Sequence, residues 1–128
     1  MLSGFTSTTS LRARIEEGSK KMTTRNFCDK SRKHLRKCHE DGRLVRFQMN
    51  WATASIFGWG RIVRIEPGKL LREHIAAHPR FFELVGCPGM SPRQYSTKYL
   101  GGDLNAPVDL YVFEFVTLGE EPDAETAM

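Results

Sequence analysis

The chain has 128 residues, a net charge of +4, and 40% hydrophobic and 27% charged residues. This length supports one domain with a hydrophobic core of its own. No apolar run approaches the roughly 20 residues that cross a bilayer, which excludes an integral membrane protein. The three cysteines form no CxxC motif, a usage typical of a reducing compartment. We therefore expect a cytoplasmic protein.

The charge is unevenly distributed along the chain. Residues 1–66 contain fourteen Lys or Arg and six Asp or Glu, whereas residues 67–128 contain five and nine. A strongly basic half favours a polyanionic partner. The alternative explanation is that these charges only keep the surface solvated.

The first 21 residues are rich in Ser and Thr and have few apolar side chains. They lack the continuous apolar segment of a secretory signal peptide. A transit peptide, translated upstream sequence ahead of a natural start at Met22, and a plain disordered tail all fit this composition. We predict a disordered or non-native leader over 1–21, a single α+β domain over 22–118, and an acidic disordered tail over 119–128.

The segment 25–39 predicts a short basic helix, with Asn26 able to cap its first turn. It contains six Lys or Arg and a single Asp. Its apolar stripe is narrow and has four members at helical spacing: Phe27, Ser31, Leu35 and Cys38. So narrow a stripe buries little area, so we expect the helix on the outside of the domain, with Gly42 just past its end.

Two strands follow the basic helix. Residues 44–51 alternate between apolar and polar side chains, which is typical of a strand with one buried face. Residues 56–66 predict a second strand that pairs with the first in antiparallel orientation. Gly58 and Gly60 inside it indicate a bulge or a close approach of another group.

The second half of the chain predicts two helices and two more strands. Helices are expected over 69–78 and 80–85, and strands over 94–100 and 108–118. The last strand is apolar on both faces, which is typical of the centre of a covered sheet. The element order indicates an α+β fold, with a mainly antiparallel sheet of about four strands and helices packed on it.

The main functional hypothesis is a small basic-faced binding protein of bacterial or phage accessory type. Its partner would be nucleic acid, or a nucleoprotein or other acidic protein surface, because Lys and Arg contacts with phosphates release counterions. The candidate polyanion-binding residues are Arg25, Lys30, Arg32, Lys33, Arg36, Lys37, Arg46 and Arg64. No recognised nucleic-acid-binding motif accompanies them.

The alternative hypothesis is a small enzyme that acts on an anionic small substrate. Its candidate catalytic residues are His74, His78, Glu114 and Cys87. His74 and His78 share a helix face and could contact a metal, with a third ligand from elsewhere in the chain, Cys87 or Asp103; a hydrogen-bonded core histidine is the stronger interpretation. We therefore predict no metal site and no cofactor. Phosphate-loop, dinucleotide-binding and nucleophile-elbow motifs are all missing from the sequence, which favours the binding protein.

Overall fold

A computed structural model describes residues 4–7, 9–26, 29–49 and 56–118. Within these residues, five strands form one sheet in the order β1-β3-β4-β5-β2. The elements in chain order are β1 (Gly4–Ser7), α1 (Thr9–Glu16), β2 (Met22–Asn26), α2 (Arg32–Asp41), β3 (Leu44–Met49), β4 (Ile56–Lys69), α3 (Leu71–Ala77), α4 (Phe81–Leu84), α5 (Pro92–Tyr99) and β5 (Val108–Leu118). No helix of these ranges combines the length and apolar character that a membrane crossing requires.

The predicted α+β class is confirmed. Strands β3, β4, β5 and β2 pair in antiparallel orientation, and β1 adds to β3 in parallel. The sheet is therefore mainly antiparallel, as the sequence indicated.

Strand β5 lies inside the sheet, between β4 and β2. Tyr111 and Phe113 belong to a hydrophobic cluster that also contains Leu35 of α2. Val108 and Leu110 belong to a second cluster, under α3, α4 and α5. Because alternate residues of a strand point to opposite faces, the sheet is covered on both sides and α2 lies on the face opposite α3–α5.

The close approach expected near the glycines of β4 is found at Gly60. A Cβ atom at this position would lie 2.5 Å from the Phe47 ring and 2.8 Å from the carbonyl oxygen of Glu114. The strand also continues past its predicted end at residue 66 and reaches Lys69, with a register shift after Glu66.

The predicted strand over 94–100 is wrong, because this segment forms helix α5. Ser91 begins a capping box, in which its hydroxyl accepts a hydrogen bond from the Gln94 N–H at 3.2 Å. The Gln94 side-chain oxygen accepts one from the Ser91 N–H at 2.9 Å. The Tyr95 hydroxyl then contacts the Thr24 hydroxyl at 2.6 Å and joins α5 to β2. Local capping therefore overrode a short alternation of residue types.

The basic helix is shorter than predicted, and its first residues form a strand. Arg25 and Asn26 belong to β2, where they pair with Asp109 and Val108 of β5. Pairing with β5 satisfies the backbone hydrogen bonds of residues 22–26, so these residues do not join the helix. Helix α2 begins after Ser31. Its end is as predicted, with Gly42 in the left-handed conformation at φ 68°. Four residues of the predicted helix and strand (Phe27, Cys28, Asn50 and Trp51) lie outside the described residues.

The predicted leader over 1–21 is, where it is described, part of the packed domain. Ile15 of α1 is 1% exposed and belongs to the core cluster under α2. The Lys21 backbone N–H donates to the Leu84 carbonyl at 2.7 Å, and the Phe113 N–H donates to the Lys21 carbonyl at 2.9 Å. The Ser/Thr-rich composition of this segment gave no indication that Ile15 would join the core. A natural start at Met22 stays a prediction, and the acidic tail over 119–128 lies outside the described residues.

Candidate nucleic-acid interface

Helix α2 presents opposite chemistry on its two sides. Leu35 and Cys38 are fully buried against the sheet, whereas Lys33, Arg36 and Lys37 are exposed. At 3.6 residues per turn, these three cations project from the side opposite the buried pair. The two members of the predicted apolar stripe that lie in α2 are therefore buried, and they turn the cations toward solvent.

A buried carboxylate holds the start of α2. The Arg32 guanidinium donates to the Asp109 side chain at 2.6 Å, and Asp109 is only 2% exposed. The Gly68 N–H at 2.9 Å and the Tyr111 hydroxyl at 3.4 Å donate to the same carboxylate. The hydrogen bond that Arg32 donates to Asp109 raises the pKa of Arg32. Burial, followed by the Asp109 charge, raises the pKa of Tyr111 to about 12.

The later part of α2 has its own polar anchor. His39 Nδ1 lies 3.0 Å from the Ile62 carbonyl oxygen of β4. A helix held by Arg32 at one end and His39 at the other has a fixed orientation on the sheet. The helix therefore holds the backbone positions of its exposed cations fixed relative to one another and to the sheet.

Four of the predicted cations lie on or beside the exposed side of α2: Lys30, Lys33, Arg36 and Lys37. Among the residues that the structure describes, Lys30, Lys33 and Arg36 form no ion pair. Lys37 lies 3.7 Å from Asp41, one turn later, and both side chains are open to solvent. We call Lys33, Arg36 and Lys37 the basic face of α2.

The other predicted cations lie elsewhere or are engaged. Arg25 is partly buried, with Nη1 2.9 Å from the Thr24 carbonyl oxygen. Burial lowers the pKa of Arg25, against the opposing effect of Asp29. Arg46 is only 8% exposed. Arg64 is exposed, but its guanidinium lies 2.8 Å from the Glu66 carboxylate.

The two histidines of the enzyme hypothesis have structural contacts. His74 is fully buried, and its Nε2 lies 2.7 Å from the Val108 carbonyl oxygen. His78 Nε2 lies 3.1 Å and 3.2 Å from the two carboxylate oxygens of Glu66. Burial opposes ionisation of Glu66, but the His78 hydrogen bond and nearby positive charge outweigh it and lower the Glu66 pKa.

The other two residues of the enzyme hypothesis are Cys87, which is buried, and Glu114, which lies far from His74. Cys87 is 7% exposed, and its Sγ lies 3.7 Å from the Tyr99 hydroxyl. Glu114 is 57% exposed and pairs with Arg61 at 3.3 Å. Since His74 contacts Val108, Glu114 lies six strand residues away, or about 20 Å along β5. The four residues do not form one site, and the described ranges contain no cluster of three metal-ligating side chains.

Sequence reasoning missed Lys20. Its side chain is 8% exposed, and Nζ donates to the carbonyl oxygens of Met22 and Val85, both at 2.7 Å. Burial lowers its pKa to about 7, with Cys87 opposing the shift and Arg25 adding to it. The sequence shows two adjacent lysines, and nothing in it separates buried Lys20 from exposed Lys21.

The described residues define a small α+β fold in which helix α2 carries a cationic surface. No family model matches the chain, and no curated protein matches it. Among solved structures, it is similar to the crystal structure of a single-residue variant of ZmASCH from Zymomonas mobilis, with a TM-score of 0.56. The two sequences are 12% identical, and the similarity covers 91% of this chain and 71% of that one. This likeness concerns the fold alone.

Proposed function

We propose that the protein binds nucleic acid through the basic face of α2. The observation that carries the proposal is the exposure of Lys33, Arg36 and Lys37 on a helix whose opposite side is buried. Phosphates would accept hydrogen bonds from these cations and release counterions as they bind. Arg32, held by Asp109, fixes the orientation in which the face meets the backbone of the nucleic acid.

The surroundings of the face favour nucleic acid over an acidic protein. Protein interfaces usually have an apolar or aromatic centre. Among the described residues, the exposed large hydrophobic side chains are Val63 and Tyr99, and neither is on α2. A face of cations without an apolar centre suits a phosphate backbone better than a protein surface.

Binding should be measured by fluorescence anisotropy with labelled single-stranded RNA, single-stranded DNA and duplex DNA over a salt series. The test variant is Lys33→Glu with Arg36→Glu. The matched control is Arg72→Glu with Arg93→Glu, two exposed arginines on the helices of the opposite face. We expect the test variant to lose binding at low salt and the control to keep it.

Two results would refute this proposal. One is the failure of all three nucleic acids to bind at about 50 mM salt, where backbone contacts are strong. The other is an equal loss of affinity in the test variant and in the control. Capture of an acidic protein after nuclease treatment, with no nucleic-acid binding, would favour the protein-partner hypothesis instead.

The proposal includes a cytoplasmic location and an accessory role in a bacterium or phage. Cell fractionation would test the location, and the genes that neighbour its own gene would test the role.

Lys20 favours a second candidate function, proton transfer or covalent chemistry at its amine. A neutral amine that donates both N–H groups to carbonyls keeps a lone pair that could act as a base or nucleophile. Competitive acylation near pH 7 tests this, with Lys21 as the control on the neighbouring residue. Faster labelling of Lys20 would support the function, whereas an unlabelled Lys20 beside a labelled Lys21 would limit it to a structural role.

A further inference from the structure

The segment that follows β5 is opposite in charge to the basic face of α2. Residues 119–128 contain four carboxylates and no Lys or Arg: Glu120, Glu121, Asp123 and Glu125. Across the basic face, Lys33 and Arg36 form no ion pair among the described residues. Among the described residues, Glu40 and Asp41 are the acidic side chains on or beside this face, and Asp41 pairs with Lys37. An acidic segment and two exposed cations without an ion pair therefore occur in one chain.

The strand register shows that the acidic segment starts within reach of this face. Arg32 contacts Asp109 near the start of β5, so the start of α2 lies at that end of the strand. After α2, Leu44 pairs with Arg61, which in turn pairs with Glu114. Helix α2 therefore runs along β5 and ends near the level of Glu114.

The distance to be covered is short. Strand β5 continues four residues past Glu114 to Leu118, which is about 13 Å at the usual strand rise. From the end of α2 back to Lys33 is about 12 Å at the helical rise. Ten extended residues span up to about 33 Å. The segment 119–128 is thus long enough to reach every cation of the face.

We propose that segment 119–128 docks on the basic face of α2 and competes there with nucleic acid. This inference rests on the proposed function, since it describes regulation of that same surface. A tethered segment has an effective concentration of about 1 mM. If an isolated peptide of this sequence had a dissociation constant near 1 mM, docking would reduce the apparent affinity about twofold, and tighter docking would reduce it further. Salt would weaken the docking, because the pairs are exposed.

The binding test compares two pairs of identical substitutions. Glu121→Gln with Glu125→Gln removes two charges from the segment, including one in the part long enough to reach Lys33. Glu73→Gln with Glu83→Gln removes two charges from exposed residues of α3 and α4, on the opposite face. Glutamine can keep the capping role of Glu73. We expect the first variant to bind labelled single-stranded RNA or DNA at least about twofold more tightly at low salt, and the second to bind as the unaltered chain does.

A second measurement detects docking without any nucleic acid. A carbodiimide that joins carboxylates to amines directly should link the segment to Lys33 or Lys37 in the full chain, and mass spectrometry should locate the link. Lys69, the last residue of β4, and Lys98 of α5 serve as control amines on the side of the sheet that carries α3–α5. Links to Lys33 or Lys37 that disappear at high salt would support the proposal.

The outcomes separate this inference from the proposed function. If the chain binds nucleic acid through Lys33 and Arg36 but the two Glu→Gln pairs behave alike, the docking proposal is overturned and the function stands. Links to the control lysines alone would also overturn it. If no nucleic acid binds any variant while the links to α2 form, the proposed function fails and competition with nucleic acid fails with it.

Discussion

Replacing Lys20 with methionine should change the stability of the protein in a pH-dependent way. Burial lowers the pKa of Lys20 from 10.5 to about 7 in the folded chain, whereas the unfolded chain keeps the ordinary value. Between those two values the unfolded state binds more protons than the folded state. The free energy of unfolding of the unaltered protein therefore rises with pH through this window, and Lys20 contributes no slope below about pH 6.

The size of the effect follows from the shift. One pKa unit corresponds to about 1.4 kcal/mol, and integration from about pH 7 to about pH 9 gives about 2 kcal/mol for a shift of this extent. Methionine also leaves the Met22 and Val85 carbonyls without the hydrogen bonds that Lys20 Nζ donates to them at 2.7 Å. That loss costs about 1–3 kcal/mol for each buried carbonyl, and it does not depend on pH.

Urea unfolding followed by tryptophan fluorescence would measure this difference between about pH 6 and about pH 9. We expect the gap in unfolding free energy between the unaltered chain and Lys20→Met to widen by about 2 kcal/mol above pH 7. Lys21→Met is the control, because Lys21 is exposed and should give a constant gap. A constant gap for Lys20→Met would refute the reasoning, since it would mean that Lys20 titrates as an ordinary lysine.

Three further changes test the fold. Asp109→Asn should lower the unfolding free energy by about 2–4 kcal/mol, because it breaks a buried pair. The control is Glu114→Gln, which breaks an exposed pair and should cost under about 1 kcal/mol. Equal costs in urea unfolding would contradict this contrast. Gly60→Ala should cost about 2 kcal/mol or more, because its Cβ would meet the Phe47 ring at 2.5 Å, and an unchanged melting temperature would contradict that contact. A chain that starts at Met22 should unfold at a lower urea concentration than the full chain, because it lacks the buried anchor of α1, and equal midpoints would support the leader prediction.

The parts of the fold that the sequence predicted are those with a strong local pattern. Strands β3, β4 and β5 carry alternating or continuous apolar residues, and that period decides which side of the sheet each residue faces. The two faces of β5 were predictable for the same reason, because Tyr111 and Leu110 are adjacent and both apolar. The end of α2 was predictable because Gly42 adopts a left-handed conformation easily.

The errors occur where a contact distant in sequence decides the structure. The segment 22–26 forms β2 because β5 is available to pair with it, and its own five residues carry no strong strand pattern. The error over 94–100 has a local cause instead. Tyr95, Thr97 and Tyr99 alternate as in a strand, but the capping box of Ser91 and Gln94 starts a helix.

The sequence indicated which helix carries the exposed cations, but not which of the eight predicted cations lie together on it. Charge density alone identified α2, and its thin apolar stripe correctly indicated an exposed cationic side. What the sequence could not show is which cations are buried or already paired with a carboxylate. Arg46 is buried and Arg64 pairs with Glu66, and both facts depend on strand register and neighbouring side chains.

The smaller number of exposed cations changes the expected salt dependence of binding. The sequence proposed eight cations, and eight phosphate contacts would give a salt slope of about −7 on duplex DNA. In the structure, Lys30 and the basic face supply four exposed cations, so the slope should be about −3 to −4. The logarithm of the binding constant against the logarithm of salt concentration measures it directly. A slope near −7 would require all eight predicted cations to contact phosphates, including the buried Arg46 and the three arginines that have protein partners: Arg25, Arg32 and Arg64. The fixed basic face would then be an incomplete account of the interface.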